Sequence, residues 1–216
     1  MTASTWDTVT DKGAALAAAG WFMLSIQKSV ELASAPAVET AGAILRLAHV
    51  LNAALLLLIV VFLVSRRPPV NKAPGLWPRL VAWIGLLAPL ALALIPRASL
   101  GQTEAIGSAL LVFAGTLAGV WAVTHLGRAF SFFPQARTLV TSGPYRFVRH
   151  PLYLAELAIV AGLAIERSQP WSSIIFVLTV VSQVPRMHYE ERVLSESFPE
   201  YVDYMHQTYR LVPGIY

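Results

Sequence analysis

The chain holds 216 residues, of which 56% are apolar and only 13% charged, with a formal net charge of +4 and no cysteine. A soluble globular domain carries about 25% charge and about 45–50% apolar residues, so the composition argues against a soluble enzyme, a disordered chain and a coiled coil. Without cysteine there is no disulfide, thiolate metal site or cysteine nucleophile. The class expected is all-α: a polytopic transmembrane helix bundle forming one integral membrane domain over residues 1–216.

Six apolar stretches follow in chain order: about Ala14 to Ala33, Ala43 to Val64, Leu80 to Ile95, Ile106 to Thr124, Leu152 to Ile165 and Trp171 to Val184. Crossing the hydrocarbon core takes roughly 17–25 helical residues. The first four stretches qualify, the third with its flanks. The last two are shorter and separated only by residues 166–170, ERSQP. They read as a C-terminal helical hairpin, tilted or not fully spanning, for five or six membrane helices in all. The first stretch is too long for a cleavable signal, contains Lys28 and Glu31, and follows the acidic Asp7 and Asp11.

Basic residues gather in two loops. Arg66, Arg67, Lys72 and Arg79 follow the second stretch, and Arg128, Arg137, Arg146 and Arg149 follow the fourth. Short basic loops mark the cytoplasmic side, which places both loops there, along with amphipathic helices near the C-terminus. The localisation expected is the inner, cytoplasmic membrane. This pattern answers to anionic membrane lipids rather than to nucleic acid. Residues 1–104 read as N-terminal membrane helices and residues 105–216 as the half that carries chemistry, since polar, aromatic and proline residues crowd together after His125.

Four constellations stand out. Residues 141–153, TSGPYRFVRHPLY, combine a Gly143-Pro144 turn with His150-Pro151, a helix start in which Pro151 takes the first helical position. Arg146, Arg149 and His150 cluster at that helix N-terminus, flanked by Tyr145 and Tyr153; a basic loop with interfacial tyrosines has the same composition. Residues 186–192, RMHYEER, follow Pro185, an expected kink. Arg186 and Glu190 share a helix face, with Glu191 about 100° round. They suit the polar parts of a cofactor or a solvated helix end. Glu156, inside the fifth stretch, is expected to face the bundle interior. Arg149, two turns back, shares its face if the helix extends that far. Tyr201 and Tyr204 make one aromatic edge of a surface helix. His49 and Asn52 are expected to hydrogen-bond between helices. Histidines are scattered without metal-ligand spacing, and no metal is expected.

Taken together, residues 126–153, LGRAFSFFPQARTLVTSGPYRFVRHPLY, then Arg186, Glu190-Glu191, residues 198–201 (FPEY), Tyr204 and Pro213 resemble the membrane methyltransferase superfamily of isoprenylcysteine carboxyl methyltransferases and phospholipid methyltransferases. The resemblance covers about Gly115 to Tyr216. It implies S-adenosylmethionine as cofactor and methyl transfer to a lipophilic acceptor: an isoprenylcysteine-type carboxylate, a lipid amine or a small thiol. It also implies that Tyr145, His150, Pro151 and Tyr153 line the cofactor pocket, that Arg149 meets the cofactor carboxylate, and that Glu190 holds its ammonium or ribose hydroxyls. Arg186 and Glu191 match the spacing of the superfamily's catalytic arginine and glutamate. Glu156, Phe132 and Phe133 are expected on the acceptor side. No obligate protein partner is expected. Two other classes fit parts of the chain. A sterol-reductase-type membrane enzyme has a similar C-terminal half, but Glu190-Glu191 would repel the 2′-phosphate of NADPH. A non-enzymatic scaffold or transporter leaves the polar cluster at His150 and Glu190 unexplained.

Overall fold

The computed structural model describes residues 40–216 throughout, with the side chains of residues 40, 41, 86, 89, 90 and 93 set aside, and before them residues 13, 19, 20, 22, 23, 25–27, 29–31 and 34. Lys28 and much of the first apolar stretch lie outside the described residues; those described there are helical. The chain is mostly helical. Helix α1 spans Thr40–Ser65. Helix α2, Trp77–Ala91, ends in a 3-10 turn at Leu92–Leu94. Helix α3 is Gln102–Leu126, α4 is Pro151–Arg167, α5 is Pro170–Ser197 and α6 is Tyr201–Gln207.

Among the described residues, two segments are long and apolar enough to cross a membrane, Gly42–Ser65 and Gln102–Ala129. Of the other expected spans, three fall short for visible reasons, and the first lies largely outside the described residues. Helix α2 has 15 residues. Helix α4 has 17, about 25 Å at 1.5 Å per residue. Helix α5 has 28 residues, but beyond Val184 it turns polar. It does present Trp171, Ile174, Val177, Val181 and Val184 outward, an exposed apolar stripe that water would not tolerate. Pro185 lies inside this continuous helix and does not end it.

Helix α3 packs between α1 and α4, and α2 packs against α5. The α3–α4 seam depends on small residues, because apolar helices in lipid associate through close backbone approach. A Cβ at Gly115 would lie 2.9 Å from the Ala155 carbonyl oxygen, and one at Gly162 would lie 2.8 Å from the Ser108 carbonyl oxygen and 3.0 Å from the Val112 nitrogen. Ser108 Oγ donates to the Gly162 carbonyl at 2.8 Å across this seam. At both glycines the obstacles include backbone atoms, which cannot move aside as a side chain can. Gly162→Ala should therefore destabilise by about 1–3 kcal/mol, read as a lower Tm in detergent. Gly107→Ala, where a Cβ meets open space, should not.

On the α1 side, Leu55, Ile59 and Leu63 pack with Phe22, Val123 and Phe130. Asn52 Nδ2 donates to Ser29 Oγ at 2.9 Å, the interhelical bond its polarity led us to expect. His49 Nε2, by contrast, is buried with no partner among the described residues.

Two features fix the ends of the bundle. At one end, Glu166 and Arg167 belong to the last turn of α4 rather than to the connection. Glu166 takes Arg97 at 2.6 Å and Arg167 at 3.1 Å, and Arg167 Nε donates to the Leu92 carbonyl. The α4–α5 connection is then only Ser168, in the left-handed region, and Gln169. At the other end, a two-residue antiparallel ladder (β1, Asn71–Lys72; β2, Gln135–Ala136) joins the two basic loops. Ala73 and Ala136 pack with Val193 of α5. Both loops therefore meet the C-terminal half of α5, where the polar residues concentrate.

Candidate functional site

The loop into α4 is shaped by Gly143, at φ +60°; a Cβ there would run into the His125 ring. Pro144 and Tyr145 follow in a 3-10 turn, and His150 caps α4 with Pro151 at the first helical position. Tyr145 is buried, and its carbonyl accepts a hydrogen bond from Tyr204 Oη at 2.5 Å. Burial, then the nearby Glu190 charge, pushes the Tyr145 phenol up, so it stays neutral. Tyr204 is pushed up to about 12, chiefly by burial.

Two adjoining networks meet at the start of α4. In the inner one, the His150 and Tyr153 rings stack, with centroids 5.3 Å apart. Tyr153 Oη donates to Glu190 Oε2 at 2.9 Å, and His150 Nδ1 lies 3.9 Å from the same oxygen. The Arg186 guanidinium lies over the Tyr153 ring at 4.7 Å. It donates to Gln183 Oε1 at 3.1 Å and to Glu156 Oε2 at 3.4 Å, while Gln183 Nε2 donates to Glu156 at 2.9 Å. Arg186 is 6% exposed, and its Nε–H is buried without a partner among the described residues. An orphaned buried donor on a guanidinium is expensive and marks a position ready for an acceptor atom. The Glu190 side chain is 36% exposed, so its carboxylate keeps an open face.

The outer network centres on Glu191. Arg149 Nε donates to its Oε1 at 2.8 Å, and His150 Nε2 lies 3.2 Å from the same oxygen. Arg210 donates to both oxygens through Nε and pairs again through Nη2. Burial opposes ionisation of Glu191, but the hydrogen bonds from His150, Arg210 and Arg149 outweigh it and hold the carboxyl well below the usual carboxylate range. Arg149 also donates to the carbonyls of Met205 and Thr208. The main chain closes the same contact. The nitrogens of Arg149 and His150 donate to the carbonyls of Tyr209 and Arg210 at 2.8 and 3.1 Å, and Val148 and Tyr209 form a parallel bridge.

The structure thus brings His150, Pro151, Tyr153, Glu156, Arg186 and Glu190 to one place, with Tyr145 beside them. It departs from expectation at four positions. Glu191 is a closed ion-pair hub, with no free carboxylate face to act as a base. Arg149 faces that hub rather than sharing a helix face with Glu156, because α4 begins only at Pro151. Phe132, partly buried, stacks on Phe22 at 5.5 Å and meets Phe130 edge-on, against the core cluster beside α1. Phe133 turns instead to Trp83 of α2, at 6.0 Å. Sequence reasoning passed over Gln183 and Arg210. Gln183 lies one turn before Arg186 and could have been found by that spacing. Arg210 carries no local signal, because its partner lies 19 residues away.

Comparison with known proteins agrees with the motif. Residues 103–201, just under half of the chain, match the phospholipid methyltransferase family. The chain is 34% identical over 79 residues to the cobalt-zinc-cadmium resistance protein CzcN of Cupriavidus metallidurans, covering 36% of this chain and 37% of that protein. It is 29% identical over 145 residues to the nickel-cobalt-cadmium resistance protein NccN of Alcaligenes xylosoxydans xylosoxydans, covering 63% of this chain and 65% of that protein. The match therefore spans less than two thirds of either relative.

Proposed function

We propose, from the match of residues 103–201 to the phospholipid methyltransferase family, that this chain is an integral membrane methyltransferase acting on a lipophilic acceptor with S-adenosylmethionine as donor. The observation that carries the reading is the inner network, where a half-open carboxylate, a stacked His–Tyr pair and a buried guanidinium with a spare donor adjoin. S-adenosylmethionine, when bound, supplies an electrophilic methyl group on a sulfonium. The residues present fit such a group. Glu190, steadied by Tyr153 Oη, would hold an ammonium or ribose hydroxyls. His150, Pro151, Tyr153 and Tyr145 offer aromatic and apolar surface suited to an adenine or a cation. Arg149, engaged with Glu191, serves by fixing the wall rather than by holding a ligand carboxylate.

Arg186 is the residue for the acceptor. Its orphaned Nε–H would orient a carboxylate or another electron-rich group for in-line attack, and positioning supplies much of the barrier reduction in such a transfer. An amine acceptor would need to lose a proton, and Glu156 or Glu190 could take it. Glu191 is unsuited, being held ionised by three donors. Five or six helices would lie in the membrane with both basic loops on the cytoplasmic side. The polar end of the bundle would then open to the cytoplasm while the acceptor enters laterally from lipid. The relatives' names speak of metal resistance. The donor set here favours a role through a methylated product over metal ligation, because the chain has no cysteine and the described residues gather no three His, Asp or Glu able to hold an ion.

Purified protein in detergent should bind S-adenosylhomocysteine with micromolar affinity in calorimetry and show no comparable affinity for NADPH. Absence of S-adenosylhomocysteine binding would sink the reading. Glu190→Ala should weaken that binding by roughly 10- to 100-fold, since a hydrogen bond to a charged group is worth about 1.5–3 kcal/mol.

A further inference from the structure

We infer that Gly85 of helix α2 sets the position of the Arg186 guanidinium, so that a helix outside the matched stretch completes the site. The inference rests on the role given to Arg186 under the proposed function. Helix α2 packs against α5, and Gly85 is buried there. A Cβ at Gly85 would lie 2.5 Å from Arg186 Nη1, 2.8 Å from its Cδ and 3.0 Å from its Cζ. All three nearest atoms belong to that one side chain. Arg186 therefore occupies a bay with three walls. The Tyr153 ring forms one wall, Glu156 and Gln183 the second, and the bare backbone of α2 the third.

The walls differ in kind. Tyr153, Glu156 and Gln183 give Arg186 attractive partners. Gly85 contributes only space, and the space is the size of the group that fills it. A methyl group at residue 85 must displace the guanidinium, including the Nη1 that donates to Gln183 Oε1 and Glu156 Oε2. The displaced atoms are the far end of a flexible side chain, so the helices need not separate and the fold survives. What changes is the direction of the Arg186 donors, including the orphaned Nε–H. At the seam between Gly162 and Ser108, by contrast, the obstacle is backbone.

The test compares wild type, Gly85→Ala, Arg186→Ala and the double variant, purified in detergent. Methyl transfer from labelled S-adenosylmethionine to a membrane lipid extract is read beside S-adenosylhomocysteine binding and Tm. Gly85→Ala should lose roughly tenfold or more in methyl transfer, because small displacements of positioning groups have such effects, with S-adenosylhomocysteine affinity kept. In the Arg186→Ala background the added methyl should enter vacated space, costing no further activity and leaving Tm unchanged or higher. A Gly85→Ala enzyme with wild-type turnover, or one whose losses simply add to those of Arg186→Ala, overturns the inference alone. A wild type that neither binds S-adenosylhomocysteine nor transfers methyl overturns the proposed function and this inference with it.

Discussion

Arg186→Ala should lower methyl transfer by roughly 10²–10³-fold, the range found when a donor aimed at developing charge is removed, while S-adenosylhomocysteine binding stays near wild type. The expectation follows from where the guanidinium sits. It is 6% exposed, touches Glu156 and Gln183, and keeps one buried N–H without a partner among the described residues. The half-open Glu190 is held by Tyr153 rather than by Arg186, which is why donor binding and turnover separate. Arg186→Lys should recover little. An ammonium has no planar fork with which to meet Gln183 and Glu156 while presenting a further donor. Transfer of label from S-adenosylmethionine to a lipid extract, set beside calorimetry with S-adenosylhomocysteine, measures both quantities. Unchanged turnover in Arg186→Ala would remove Arg186 from the chemistry.

Glu191→Ala should act differently, loosening the polar cluster at the start of α4 as a whole. It leaves Arg149 and Arg210 facing each other and His150 without its acceptor. Removing one partner of a buried pair costs about 3–5 kcal/mol; here the value is smaller, because the Arg210 side chain is 24% exposed. The expected result is faster hydrogen exchange over residues 201–216, a lower Tm and weaker S-adenosylhomocysteine binding together. Unaltered exchange in that segment would show that Glu191 does not hold it. The pH dependence has a definite sign. The carboxyl is held below its ordinary value of 4.5 in the folded protein. Its contribution is therefore fully present above about pH 4.5 and is lost as acid carries the pH down through the folded value. Glu191→Gln should lack that acid limb.

The helices were legible because long apolar runs leave few alternatives, and the start of α4 because Pro151 tolerates only the first helical turn. The grouping of His150, Tyr153, Arg186 and Glu190 was legible through a family motif. The division of labour between Glu190 and Glu191 was not. The two carboxylates are neighbours in the chain and about 100° apart on the helix, so one points to Tyr153 and the other away. What the second one meets depends on Arg210, which arrives only because residues 208–210 fold back beside Val148. No local pattern encodes that return. Gly85 was equally silent, since a glycine in an apolar helix ordinarily signals close helix packing, and here its neighbour is a charged side chain. Phe132 and Phe133, adjacent in the chain, turn their rings to Phe22 and to Trp83 of α2, a divergence no local pattern announces.

The fold-back beside Val148 also bears on how the protein matures. The bonds that close the site link residues 42 and 59 positions apart, Arg149 to Glu191 and Arg149 to Thr208. Ribosomal synthesis adds roughly 5–20 residues per second, so for some seconds after α4 is made its Arg149 and His150 have none of these partners. A nascent chain that has not yet produced residues 208–210 holds these helices without the contacts that close the network around Glu191. Under the proposed function, chains stalled or clipped in that interval would lack this network, and methyl transfer would begin only on the finished protein.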